Sequence, residues 1–228
     1  VGRALSVACA RAGLDVAVHY RSSAGPARQA VEECRARGVR AEAVGGDLAT
    51  ATGCRAVAAA AEDALGPVDV LVNSAANFLA APFEATTEEQ LDAAFAVNLK
   101  APFVLAQAVA PGMRARGFGR IVNVGDVAGL EPWPRFAAHC VAKAGLVMLT
   151  KALAQELAPE ITVNAIAPGP VLMPDGSSEA AVERSRRKTV LGRIGSPDDV
   201  AGALAYLLGA DYVTGHTLVV DGGRLVRP

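Results

Sequence analysis

Short apolar runs rich in β-formers alternate along this chain with longer Ala-rich stretches of helical period, and that alternation limits the fold more than any other feature. A strand buried on both faces reads as a continuous apolar run, and a surface helix reads with a 3.6-residue period. The strand candidates are Asp15–Tyr20, Arg40–Gly45, Val68–Asn73, Arg120–Val124, Thr162–Ala167 and Thr217–Val220. Between them the period predicts helices over Arg3–Ala12, Pro26–Arg37, Thr50–Ala64, Glu88–Met113, Phe136–Leu157 and Pro197–Leu208. Repeated β–α units of this kind build a mostly parallel sheet with helices on both faces and right-handed crossovers. At 228 residues, with no linker, repeat or low-complexity tract, the chain is expected to be one domain over residues 1–228.

The chain opens on Val1-Gly2-Arg3-Ala4-Leu5, which already has helical character, whereas a doubly wound nucleotide-binding fold opens with a strand and a Gly-rich turn. A parallel sheet without its middle strand leaves interior backbone groups unpaired, at roughly 1–3 kcal/mol each. The expectation is therefore that a leading strand and loop precede Val1, with Gly2 the last glycine of that loop.

Charge narrows the function classes. With 22 Lys+Arg against 23 Asp+Glu there is no basic excess to neutralise phosphates, so no nucleic-acid partner is expected. No uninterrupted apolar run reaches the roughly 18 residues of a membrane span, so no membrane partner is expected and the expected location is the cytoplasm. Cys9, Cys34, Cys54 and Cys140 form no C-x-x-C pair and read as buried, inert thiols; no metal site is expected.

Several short motifs follow one another in a set order. They are Leu71-Val72-Asn73-Ser74-Ala75-Ala76, Val97-Asn98, Ile121-Val122-Asn123-Val124-Gly125-Asp126, Lys143-Ala144-Gly145, Val163-Asn164-Ala165-Ile166-Ala167-Pro168-Gly169, Val213-Thr214-Gly215 and Val220-Asp221-Gly222-Gly223. In this order and spacing they resemble the short-chain dehydrogenase/reductase family over the whole chain except its start. The resemblance implies a Rossmann-type doubly wound α/β fold with a parallel sheet of about seven strands. It also implies a nicotinamide dinucleotide cofactor, a small-molecule substrate, and a homodimer or homotetramer.

The family's catalytic set is Asn, Ser, Tyr and Lys. Carried over, Asn98 and Lys143 match, Asp126 stands at the serine position, and His139 stands at the tyrosine position four residues before Lys143. An aspartate in the serine position is similar to the pteridine reductases within the family, and Phe78 falls where they stack a pterin ring. His139 and Ala76 depart from their pattern. The resemblance places the cofactor against Gly2, Arg21, Ser22, Asp47, Leu48, Asn73, Ala75, Lys143, Pro168 and Gly169. Phe78 reads either as a stacking residue for a flat substrate or as core.

Arg21-Ser22-Ser23 after the first strand supplies a cation and hydroxyls, which suit a 2′-phosphate and favour NADP(H) over NAD(H); a solvated loop is the plainer alternative. His139 and Lys143 lie on one helix face. A nearby ammonium disfavours an imidazolium, and a carboxylate within about 4–6 Å favours it, so Asp126 is expected to support His139 as an acid. Three readings stay open: an NADPH-dependent reductase of a carbonyl or C=N bond in a flat heterocycle, a catalytically degenerate dinucleotide-binding homologue, and a lyase or isomerase reusing Asp126 and His139. The polar segment Val171–Thr189, with Pro174, Asp175 and a basic cluster, is either a solvated face or a lid.

Overall fold

The strands β4 (Gly119–Val124) and β5 (Ile161–Pro168) are buried along their whole length, as their continuous apolar sequence requires. Successive side chains alternate between two cores. Val122, Val124 and Ile166 enter one with helices α1 (Gly2–Arg11), α2 (Ala24–Arg35) and α8 (Pro197–Gly209). Ile121, Ile161 and Val163 enter the other with α3 (Ala51–Leu65), α5 (Ala101–Ala115) and α6 (Ala137–Leu157). The computed structural model describes all residues except Asp175 and Pro228, so the aspartate of the expected lid lies outside the described residues.

Six parallel strands are present among the described residues, in two sheets rather than the expected single one. One pairs β1 (Val16–Tyr20) with β2 (Ala41–Gly45); the other has the order β3-β4-β5-β6, with β3 at Val70–Asn73 and β6 at Thr217–Val220. The break falls between β1 and β3. Arg40 O accepts the amide of Val16, and Asp69 O accepts that of Arg120, so alternation turns the N–H and C=O groups of Ala17, His19, Val70 and Val72 toward the gap. No described strand bridges it; Leu5 and Cys9 of α1 and Leu105 of α5 line the space between.

The helix predicted over Glu88–Met113 is also interrupted. It runs as α4 (Glu88–Phe95), a π-helical turn over Ala96–Lys100, and α5. A π turn shifts the register of the side chains that follow it, and such turns concentrate at functional sites. This one carries Asn98. Near the carboxyl end of the sheet, α7 (Glu179–Arg187) is the short basic helix of the polar segment.

On length and composition alone, Glu88–Ala115 and Ala137–Leu157 are long and apolar enough to cross a bilayer, with mean hydropathies of 1.4 and 1.3, which the count of apolar runs did not anticipate. Here Val104, Val109, Met113, Ala154 and Leu157 lie in the core beneath the sheet, while Phe103, Val141 and Met148 are exposed.

Candidate active site

The strand order places Asn73, Val124, Pro168 and Val220 at one edge of the larger sheet, the carboxyl edge at which open α/β sheets bind ligands. Below that edge a buried polar chain ties β3 to α6. Asn73 Nδ2 donates to Asn123 Oδ1 (2.8 Å), Asn123 Nδ2 to Thr150 Oγ1 (3.0 Å), and Thr150 Oγ1 to Leu146 O (2.9 Å). Asn73 Oδ1 is left buried and unpartnered among the described residues.

Asp126 follows β4 and caps a 3-10 turn over Val127–Gly129, where its Oδ1 accepts the amide of Ala128 at 2.8 Å. Capping fixes the carboxylate, since an Asp side chain is a ready acceptor for the free amides of a helical turn. Its Oδ2 lies 3.4 Å from Nε2 of His139 in the first turn of α6. His139 is only 3% exposed, and its Nδ1 is buried without a partner. One turn on, Lys143 is equally buried and donates from Nζ to Val124 O at 2.9 Å. Burial lowers its pKa to about 8, against the opposing charge of Asp126. Asp126 and His139 are thus in contact, while Lys143 lies one turn along the same helix with its Nζ spent on β4.

Asn98, 1% exposed, is held elsewhere. Its Nδ2 donates to Asn77 Oδ1 (2.6 Å), and Asn77 Nδ2 donates in turn to Ala93 O (2.6 Å). Asn98 Oδ1 has no partner. Asn77 was legible only as the neighbour of Phe78; its role as clamp on Asn98 has no sequence signal. Gly129 was missed too. A Cβ there would stand 2.8 Å from the carbonyl carbon of Lys143, so only glycine lets the Asp126 turn lie against α6.

Phe78 is 56% exposed and does not belong to the core. Its ring stacks on Phe136 (4.5 Å between centroids, 25°) and stands perpendicular to His139 (4.8 Å, 86°). Gly2, Arg21, Ser22, Asp47, Leu48, Asn73 and Ala75 all line one cavity of about 1010 Å³, which runs from the carboxyl edge into the gap between β1 and β3. It reaches Asn77 but not Asp126 or His139. Arg21 and Ser22 make no side-chain hydrogen bond among the described residues, and exposed Asp47 accepts the amide of Ala49 at 3.0 Å. Pro168 ends β5, outside the cavity lining, and Gly169 is required by Asp221, whose Cα a Cβ would approach to 2.7 Å. The cavity therefore gathers seven of the predicted cofactor residues and leaves Lys143, Pro168 and Gly169 beside it.

Comparison with known proteins fits this arrangement. The family described as enoyl-(acyl carrier protein) reductase matches residues 1–224. Nodulation protein G of Azospirillum brasilense is 37% identical over 98% of this chain and 93% of its own. The 3-oxoacyl-(acyl-carrier-protein) reductase FabG of Staphylococcus aureus strain Mu50 is 35% identical over the same shares. The chain belongs to the short-chain dehydrogenase/reductase family. Among solved structures, a gluconate 5-dehydrogenase from Burkholderia cenocepacia J2315 in complex with NADP and tartrate superposes with a TM-score of 0.90 at 31% identity, covering 99% of this chain and 91% of that one. As a member of this family the chain is an oxidoreductase acting on a small molecule, with the helix-flanked parallel sheets predicted for it.

Proposed function

We propose that the chain is an NADPH-dependent reductase of a carbonyl or C=N bond, in which His139 holds the position of the family's tyrosine and acts as the proton donor. The contact between Asp126 Oδ2 and His139 Nε2, one turn from Lys143, carries this reading. On it, the chain works as a single dinucleotide-binding domain in the cytoplasm, as a homodimer or homotetramer. A pterin-like heterocycle, in the manner of the pteridine reductases, is the substrate class that the Asp126 and Phe78 positions favour.

The cavity suits the cofactor. It offers an unspent cation and hydroxyl at Arg21 and Ser22 and a buried unspent acceptor at Asn73. Arg21 and Ser22 would hold a 2′-phosphate, Asp47 and Leu48 the adenine, and Lys143 the nicotinamide ribose. A reduced nicotinamide, when bound, supplies a hydride. The substrate's oxygen or nitrogen takes its proton from His139. With Nε2 directed at Asp126, the buried and unpartnered Nδ1 is the nitrogen that would give that proton once substrate displaces the Phe78 ring from it, and the neutral ring that remains keeps its N–H toward the carboxylate; this tautomer is assigned from the contact. Asp126, itself held by Ala128 N, keeps the ring oriented while the proton moves.

The same geometry favours a second reading. A neutral His139 with its proton on Nε2 presents Nδ1 as a base, which is what a lyase or isomerase needs. NADPH oxidation with a dihydropterin and a quinone separates these readings. Turnover supports the reductase; tight NADPH binding without turnover leaves a degenerate dinucleotide-binding homologue; weak NADPH binding points to the non-redox chemistry.

A further inference from the structure

Two loops close over His139, and residues far apart in the chain lock them together. The loop after β3 carries Phe78, and the loop before α6 carries Glu131, Trp133 and Phe136. Ala81 N donates to Arg135 O at 2.9 Å, joining them. Arg135 has φ +71°, the left-handed conformation that a residue with a Cβ rarely adopts and that concentrates at ligand sites. That turn leads directly into Phe136, whose ring lies under Phe78. Trp133 stands perpendicular to both rings, at 6.4 Å from Phe78 and 6.0 Å from Phe136. The indole is itself clamped. Glu131 Oε1 accepts from Trp133 Nε1 (2.8 Å) and from Arg224 Nη2 (2.6 Å), and the Arg224 guanidinium lies 4.6 Å from the Trp133 ring centroid.

The surface that Phe78, Trp133 and Phe136 present is apolar, and the charged groups beside them, Glu131 and Arg224, are spent on each other and on the indole. The buried unspent one against it is His139 Nδ1, behind the Phe78 ring. A saturated, hydroxyl-rich substrate would lose its hydration against three aromatic rings with little to replace it, whereas a flat conjugated ring meets π faces at stacking distance and needs only one or two hydrogen bonds. We propose that Phe78, Trp133 and Phe136 form a substrate platform selecting flat, conjugated carbonyl compounds over saturated ones of equal size. Trp133 is a specificity-determining residue, and Arg224, acting through Glu131, is its positioning residue. The proposal rests on the reading that reduction occurs beside His139.

Trp133 is the only tryptophan in the chain, so its fluorescence reports on the platform directly. The test uses acetophenone and cyclohexyl methyl ketone, which share a carbonyl and a carbon count and differ in flatness. With the protein saturated in NADP⁺, acetophenone should quench Trp133 saturably, and the saturated ketone should displace it only at concentrations at least tenfold higher. Phe78→Leu should weaken acetophenone binding about tenfold and leave the other ketone and NADPH unchanged; Phe136→Leu provides a second variant. Arg224→Met should shift Trp133 emission to the red and erase the preference, and Arg224→Lys should partly restore it. Equal affinities for the two ketones, or acetophenone binding indifferent to both phenylalanine substitutions, would overturn the platform. Selective binding of acetophenone, with no NADPH oxidation by it, by a dihydropterin or by a quinone, would retire the reductase reading and leave the platform standing. Turnover of both ketones with equal affinity would do the reverse.

Discussion

Gly129 packs its Cα directly on the backbone of Lys143, so close that a methyl group would sit 2.8 Å from the lysine's carbonyl carbon and 2.9 Å from its oxygen. That contact seats the Asp126 turn on the helix carrying His139 and Lys143. Gly129→Ala must push turn and helix apart, and overpacking of this kind costs about 1–3 kcal/mol. We expect a lower Tm and, because the Asp126–His139 distance opens with it, a larger fractional loss of activity than of folded protein. An unchanged Tm would show that the turn gives way freely.

Lys143 yields a pH-dependent stability with a definite sign. Its folded pKa is lowered to about 8 by burial, below the roughly 10.4 of an exposed lysine. Below pH 8 the folded state carries a charge that it would shed more readily than the unfolded chain does, and this penalty lifts as the pH rises from about 8 to 10.4. Lys143→Met should therefore raise stability at pH 7 by about 1–3 kcal/mol despite losing the bond to Val124 O, and the gain should shrink above pH 8. Denaturant unfolding of both proteins at pH 7 and pH 9.5 measures it. A variant less stable than wild type at pH 7 contradicts the assignment.

If His139 is the proton donor, His139→Phe should abolish NADPH oxidation while leaving NADPH binding within about twofold, because the ring touches Asp126 and Phe78 and lies outside the cavity lining. His139→Tyr, which returns a hydroxyl proton donor to that position, should keep activity. NADPH oxidation and calorimetric titration of both variants measure it. A His139→Phe variant as active as wild type would exclude His139 as the donor.

Arg21 lines the cavity without an ion-pair partner among the described residues, and is the candidate for a 2′-phosphate contact. Arg21→Ala should weaken NADPH binding by about 1–3 kcal/mol, the size of a lost charge-assisted hydrogen bond, and leave NADH nearly unaffected. Calorimetric titration with both cofactors gives the answer; equal losses would remove the basis for NADPH preference.

Assembly has an exposed apolar face to work with. Val141 (57% exposed) and Met148 (63%) are seven residues apart on α6, hence on one face, and Phe103 (47%) is exposed on α5. If these helices form a two-fold interface, Val141→Lys combined with Met148→Lys should shift the protein toward monomer in light scattering at micromolar concentration. A wild-type protein that is monomeric at that concentration sinks the idea.

What the sequence determined by itself was whatever is written over a few neighbouring residues. Strand and helix periods set the α/β class, and the four-residue step from His139 to Lys143 put both on one face of α6. The order of the short motifs carried the family. What only the tertiary structure decided were contacts between residues far apart in the chain. Nothing local in Arg224 marks it as the clamp on Trp133, nothing in Asn77 assigns it to Asn98, and nothing in Gly129 shows that it must meet Lys143. The π turn at Asn98 is of the same kind. Local periodicity records which side of an element is buried. Which residue lies opposite depends on how packed elements are oriented, and the chain does not write that down at any single position.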